Sequence, residues 1–176
     1  KVAHKKRRDT VKKTRCSDCK LLGMAFVSIV GTLLHFIFDW LNRPTALKFL
    51  FATNESIFQH TKLFLVPFLL WAIPEWYFFE RSSKTFLLSK LLSSLFGILF
   101  ITAAFYTYSG FLGFDIVIID MAIFYAAVIL SFLVDSKIRE NYLVNKNGTK
   151  ILATAGLVFL AIAYVILSYY PPQIAF

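Results

Sequence analysis

The sequence is poor in charged residues and in cysteine, and both shortages narrow the class of protein. Charged residues make up 16% of the 176 positions, whereas soluble domains carry about 25%. Hydrophobic residues make up 58%, more than one water-soluble core of this size hides. The only two cysteines are Cys16 and Cys19, so no disulfide framework is implied. A soluble globular domain and a disulfide-stapled domain are both excluded.

The sequence contains several long runs of apolar residues. Each run is long enough to form a helix that crosses the roughly 30 Å apolar core of a bilayer. The runs lack the alternation of a barrel strand, and only helices and closed barrels satisfy the backbone in lipid. The sequence therefore predicts an all-α polytopic membrane protein. The predicted transmembrane domain spans residues 21–176, with five helices at about 21–41, 57–79, 86–105, 111–134 and 151–170.

The net charge of +9 is concentrated before the first apolar run. Nine of the 19 basic residues lie within the predicted tail 1–20. Such a block predicts a cytoplasmic tail against anionic headgroups rather than a nucleic-acid partner. Sixteen lysines and arginines fall on the predicted inner side and only three, Arg43, Lys48 and Lys62, on the outer side. This asymmetry predicts an N-terminus inside and a C-terminus outside.

The cysteines form a C-x-x-C pair within the basic tail. A structural zinc site needs four ligands, and this chain does not supply the fourth nearby. A thioredoxin-like motif needs a βαβ context, which an all-α chain lacks. Free thiols are the simplest interpretation. Lipidation beside the membrane, or half of a metal site completed by a second copy, are the alternatives.

Ionisable residues inside predicted spans are the main functional lead, because charge in a bilayer is costly unless it faces protein or water. His35 and Asp39 are four residues apart and share one face of the first helix. Glu55 and His60 lie at the start of the second helix, which the outer loop joins to the first. Asp120 lies deeper, in the fourth helix, and is expected to be neutral or to meet a donor such as His35, a tyrosine or a bound cation. The topology brings all five to one leaflet.

This set of residues predicts a metal centre. Imidazole nitrogen and carboxylate oxygen suit zinc and related divalent ions, and an open coordination position activates water. We assign His35, Asp39 and His60 as metal ligands and Glu55 and Asp120 as catalytic carboxylates. No His-Glu-x-x-His motif is present. A proton or ligand site, and a satisfied polar network without chemistry, are the alternatives.

Other polar residues receive structural interpretations. Glu75 and Glu80 are expected to reach the inner interface or to pair with Arg81, and Pro74 to kink the second helix. A stripe of small residues suited to close packing on the third helix comprises Ser89, Ser93 and Gly97.

Two further patterns in the sequence are His35-Phe36-x-x-Asp39-Trp40 and Asn54-Glu55-Ser56-x-x-x-His60-x-Lys62-Leu63. With these patterns the chain resembles a family of small multi-pass bacterial membrane proteins without an established activity. The helix that carries Asp120 extends the resemblance, which implies that the protein lies in the bacterial cytoplasmic membrane.

The leading prediction is a membrane-embedded, metal-dependent hydrolase at the outer leaflet. The alternative is a non-enzymatic ligand-binding, proton-coupled or transport-associated subunit that works with a protein partner or a second copy.

Overall fold

The computed structural model describes residues 2–40, 57–80, 85–140 and 147–169, with side chains placed for most of them. These residues form helices, and no strand occurs among them. A π-helical turn, Trp76–Glu80, follows the second helix directly after Pro74 and Glu75. The five α-helices are α1 (Val2–Trp40), α2 (Ile57–Glu75), α3 (Phe86–Leu112), α4 (Val117–Glu140) and α5 (Asn147–Tyr169).

Five helices among the described residues are long and apolar enough to cross a membrane. The predicted fold class, a helical multi-pass membrane protein, is supported at this level. The orientation of the termini stays a prediction. The helix α1 begins at Val2, so the basic stretch and the first apolar run form one continuous helix.

The connection between α3 and α4 differs from the predicted boundary. Phe111 and Leu112 read as the start of the fourth apolar run, but they form the last turn of α3. Gly113 follows with a φ of 79°, and its N–H donates to the carbonyl of Ser109 at 2.7 Å. A glycine in this left-handed conformation commonly ends a helix. The chain turns here, and α4 begins at Val117.

The helix α2 has the largest buried share of the five described spans. It packs against α1, α3 and α4, and the turn from Thr61 to Leu65 is buried on every side. Phe64 and Phe68 belong to the apolar core, together with Val27 of α1, Phe132 of α4 and six further buried residues. Such a helix has little contact with lipid, so it can carry polar residues that a lipid-facing helix cannot.

Small residues set the distance between helices. A Cβ on Gly31 of α1 would lie 2.5 Å from the ring of Phe124. A Cβ on Gly97 of α3 would lie 2.6 Å from the hydroxyl of Ser131 and would also overlap the ring of Phe64. Close approach at such positions gives the packing contacts that hold helices together in lipid. Ser89 and Ser93, on the same stripe as Gly97, are also buried.

Candidate functional site

A cavity of about 180 Å³ lies between α1, α2 and the start of α4. We call it the histidine cavity. Its polar lining residues are Thr32, His35, His60, Asp115 and Asp120. Its apolar lining includes Phe36, Leu63, Met121 and Phe124. The space is large enough for several waters or for one small organic molecule.

Two histidines from neighbouring helices face one another at this cavity. The rings of His35 on α1 and His60 on α2 stack with centroids 6.1 Å apart and an interplanar angle of 27°. The edge of Phe36 packs against His35 at 5.1 Å. Extensive packing between α1 and α2 fixes the two backbones that carry the rings. The imidazole nitrogens therefore offer donors or acceptors on one wall.

Asp120 is held by a short chain of hydrogen bonds at the start of α4. The hydroxyl of Tyr108, near the end of α3, donates to the Asp120 carboxylate. The backbone N–H of Ile116 donates in turn to that hydroxyl at 3.3 Å. Asp120 also closes the first turn of α4 by donating its backbone N–H to the carbonyl of Ile116 at 3.0 Å. The expectation that Asp120 meets a donor such as a tyrosine is therefore met by Tyr108.

A second polar pair supports the cavity between α1 and α4. The hydroxyl of Thr32 donates to the carbonyl of Ser28 at 2.8 Å. It also lies 3.0 Å from the hydroxyl of Tyr125. Because each hydroxyl has both donor and acceptor capacity, this arrangement ties the two helices together at the cavity wall.

The structure brings three of the five predicted site residues to one cavity. His35, His60 and Asp120 all line it, while the side chain of Asp39 and the whole of Glu55 lie outside the described residues. Among the residues that are described, no three histidine, cysteine, aspartate or glutamate side chains come together in a way that could hold a metal ion. The predicted zinc centre is therefore not supported by the described part of the chain.

A second group of ionisable side chains lies buried between α2, α3 and α4. We call Glu75, Lys90, Asp135 and Arg139 the ion cluster. The ammonium nitrogen of Lys90 lies 2.7 Å from Glu75 and 3.0 Å from Asp135. Arg139 forms salt bridges with both carboxylates. Each cation thus contacts each anion.

The ion cluster is closed off from its surroundings by protein. The side chains of Lys90 and Asp135 are each 1% exposed, Glu75 is 4% exposed and Arg139 is 12% exposed. The ammonium of Lys90 also lies over the ring of Phe68 at 4.6 Å, which adds a cation–π contact. Two carboxylates and two cations balance, so the four residues carry no net formal charge.

Sequence reasoning missed the ion cluster. Glu75 was expected to reach the interface or pair with Arg81, but the structure buries it against Lys90 and Arg139. Lys90 lies within the predicted third helix, and the structure places it in the first turns of α3, facing both carboxylates. The available signal was the spacing of four between Asp135 and Arg139, which puts opposite charges on one helical face.

Lys62 is more buried than its count among the outer-side cations suggests. It lies in α2, within the predicted second helix, and is 0% exposed. The neighbouring Thr61 accepts a hydrogen bond from Tyr164 of α5 at 3.0 Å. The burial of Lys62 agrees with the large buried share of α2.

The histidine cavity and the ion cluster lie at opposite ends of the bundle. His60 and Glu75 are fifteen residues apart on α2, and Asp120 and Asp135 are fifteen residues apart on α4. At 1.5 Å per residue, each pair is separated by about 22 Å along its helix. The layer between them contains Phe64, Phe124 and other members of the apolar core.

Comparison with known proteins places the chain in one family. The model of DUF6512, a family of unknown function, matches residues 9–176. No curated protein and no solved structure matches the chain. The predicted resemblance to a family without an established activity is supported by this match, while the sequence patterns and the bacterial origin stay predictions.

Proposed function

Since the chain belongs to the DUF6512 family, whose function is not established, we propose a function from the geometry of the site. In this proposal the protein is a membrane-embedded subunit that binds a small ligand in the histidine cavity. The observation that carries this proposal is the cavity of about 180 Å³ with histidines on one wall and carboxylates on another. Small-molecule sites are concave, mostly apolar, and hold a few polar groups that fix orientation. With the N-terminus inside, the cavity lies in the outer leaflet.

Two exposed residues of α4 give a matched test. Met121 lines the cavity, whereas Ile118 is outside the lining and 79% exposed. A tryptophan at position 121 therefore obstructs the cavity, and one at position 118 meets the surrounding solvent or lipid. Both variants add the same side chain to the same helix.

The test is solvent extraction of the purified full chain followed by mass spectrometry. We expect wild type and Ile118→Trp to retain an organic compound at about one molecule per chain, as a single well-formed pocket allows. Met121→Trp should lose it while keeping its helical circular dichroism. Equal recovery from Met121→Trp and wild type, or no enriched compound in wild type, would contradict ligand binding at this cavity.

A metal-dependent hydrolase is the second candidate, and the stacked His35 and His60 favour it. Two imidazoles from neighbouring helices at a centroid distance of 6.1 Å supply two nitrogen ligands of the kind zinc prefers. In this proposal Asp39 would join the two histidines as a metal ligand. Glu55 and Asp120 would be the carboxylates that serve as general bases toward water.

Elemental analysis distinguishes the second candidate from the first. Wild type purified without chelator should contain about one zinc, manganese or iron ion per chain. The His35→Ala/His60→Ala variant should contain none. A metal content near zero in folded wild type removes the hydrolase proposal and leaves ligand binding unaffected.

A further inference from the structure

The described lining of the histidine cavity has an excess of negative formal charge. Asp115 and Asp120 both line it, and none of the described lining residues is lysine or arginine. His35 and His60 are counted as neutral. The described lysine next to the lining residue Leu63 is Lys62, which is not itself part of the lining; its ammonium lies 6.0 Å from the centroid of the Phe58 ring. The cations of the ion cluster lie at the other end of the bundle. The described lining therefore attracts positive charge.

The start of α4 offsets only part of this charge. Asp115 and Asp120 flank the first residue of α4, Val117, where acidic side chains ordinarily complement the helix dipole. That dipole end is equivalent to about half a positive charge. Two carboxylates exceed it, so the helix start does not turn the cavity into an anion site.

Asp120 retains capacity for a further donor. Tyr108 donates one hydrogen bond to it, and a carboxylate has about four acceptor positions. Asp115 is exposed at the cavity wall. An ammonium group has three N–H donors and can engage both carboxylates or one carboxylate and an imidazole.

The remaining lining suits a small apolar body. Leu63, Met121 and Phe124 contribute side chains without charge. A dry apolar cavity of about 150 Å³ holds a benzene ring, so 180 Å³ accommodates a ring with one short substituent. Phe36 and Phe124 add aromatic rings to the lining, and the face of such a ring attracts cations.

We infer that the histidine cavity selects a small primary amine, with the ammonium at Asp115 and Asp120 and an apolar body against Leu63, Met121 and Phe124. This inference rests on the proposed ligand-binding function and names the chemical class of the ligand. Neutral molecules of the same shape bind more weakly, because they leave the carboxylates without a cationic partner.

The experiment compares two probes of equal shape by ligand-observed fluorine NMR on the full chain in lipid nanodiscs. The probes are 4-fluorobenzylamine and 4-fluorobenzyl alcohol, and empty nanodiscs correct for partitioning into lipid. The variants are wild type, Asp115→Asn/Asp120→Asn and, as the matched control, Asp18→Asn. Asp18 is exposed at the opposite end of the apolar span Asp18–Ile37 of α1.

On wild type and Asp18→Asn we expect the amine to bind about tenfold more tightly than the alcohol, the scale of a charge-assisted hydrogen bond. In Asp115→Asn/Asp120→Asn the two affinities should become equal. Equal affinities on wild type, an amine preference that survives the double substitution, or no binding of either probe would overturn the inference. These outcomes test only the preference for amines. The proposed ligand-binding function is contradicted separately, if the extraction experiment recovers no compound from wild type.

Discussion

The histidine cavity and the ion cluster both place ionisable side chains between helices, but they differ in how those charges are matched. In the ion cluster each carboxylate contacts both Lys90 and Arg139, and protein closes around them. In the histidine cavity Asp120 has a tyrosine partner and Asp115 is exposed, beside an open space. A buried cluster without net charge stabilises one arrangement of helices. A cavity whose described charges are not matched within the protein is suited to bind a ligand.

The largest expected effect comes from removing one charge of the ion cluster. Lys90→Met leaves two buried carboxylates with Arg139 alone, and breaking a buried ion pair costs about 3–5 kcal/mol. We expect a large fall in the thermal unfolding temperature of the detergent-purified chain. Lys137→Met is the control, because Lys137 is exposed on α4. Equal unfolding temperatures for Lys90→Met and Lys137→Met would refute the role of the cluster.

Removing a matched pair should cost much less. Lys90→Met/Asp135→Leu takes away one cation and one anion and leaves Glu75 with Arg139. Apolar replacements of a buried ion pair are often neutral, so we expect stability within about 1 kcal/mol of wild type. A double-mutant cycle on urea or thermal unfolding measures this. If the two single losses simply add, the charges do not act as one network.

A moderate effect, well below that of Lys90→Met, is expected where Tyr108 donates its hydrogen bond to Asp120. Tyr108→Phe removes the donor and leaves the ring in place, which costs about 1 kcal/mol for one hydrogen bond. The same variant should also weaken 4-fluorobenzylamine binding, because Asp120 loses the contact that orients it. Unchanged amine affinity together with a loss of stability would show that Tyr108 supports only the turn between α3 and α4.

The smallest expected change in stability is at Asp115. This residue is exposed, and surface substitutions usually change stability by about 0.5 kcal/mol or less. Asp115→Asn should therefore unfold like wild type while it reduces the preference for amine over alcohol. An unfolding shift as large as that of Lys90→Met would mean that Asp115 belongs to the fold rather than to a binding site.

The sequence predicted correctly those features that depend on the residues of one helix alone. Apolar length alone predicted five helices, and the cost of intramembrane charge singled out His35, His60 and Asp120. It failed where the answer depends on how helices are rotated against each other. Glu75, Lys90 and Asp135 lie near the ends of predicted spans, where a charge reads as interfacial, and only the packing of three helices shows that they meet.

The predicted start of the fourth helix at residue 111 was wrong for a different reason. The apolar composition continues across the turn from Leu112 to Phe114, so hydropathy gives no sign of where α3 stops. A left-handed glycine is a conformational signal, and composition alone does not reveal which glycine adopts it. Gly110, three residues earlier, lies within α3 without interrupting it.

The enclosed position of α2 has a consequence for how the protein is made. Of the five described spans, this helix has the lowest mean hydropathy and the largest buried share. It also carries Lys62, Glu75 and two prolines. Low hydropathy and charged residues within a segment disfavour its release into lipid by the insertion machinery. We therefore expect α2 to remain at the translocation site until α1 and α3 are available, so that these three helices enter the bilayer as an assembled group.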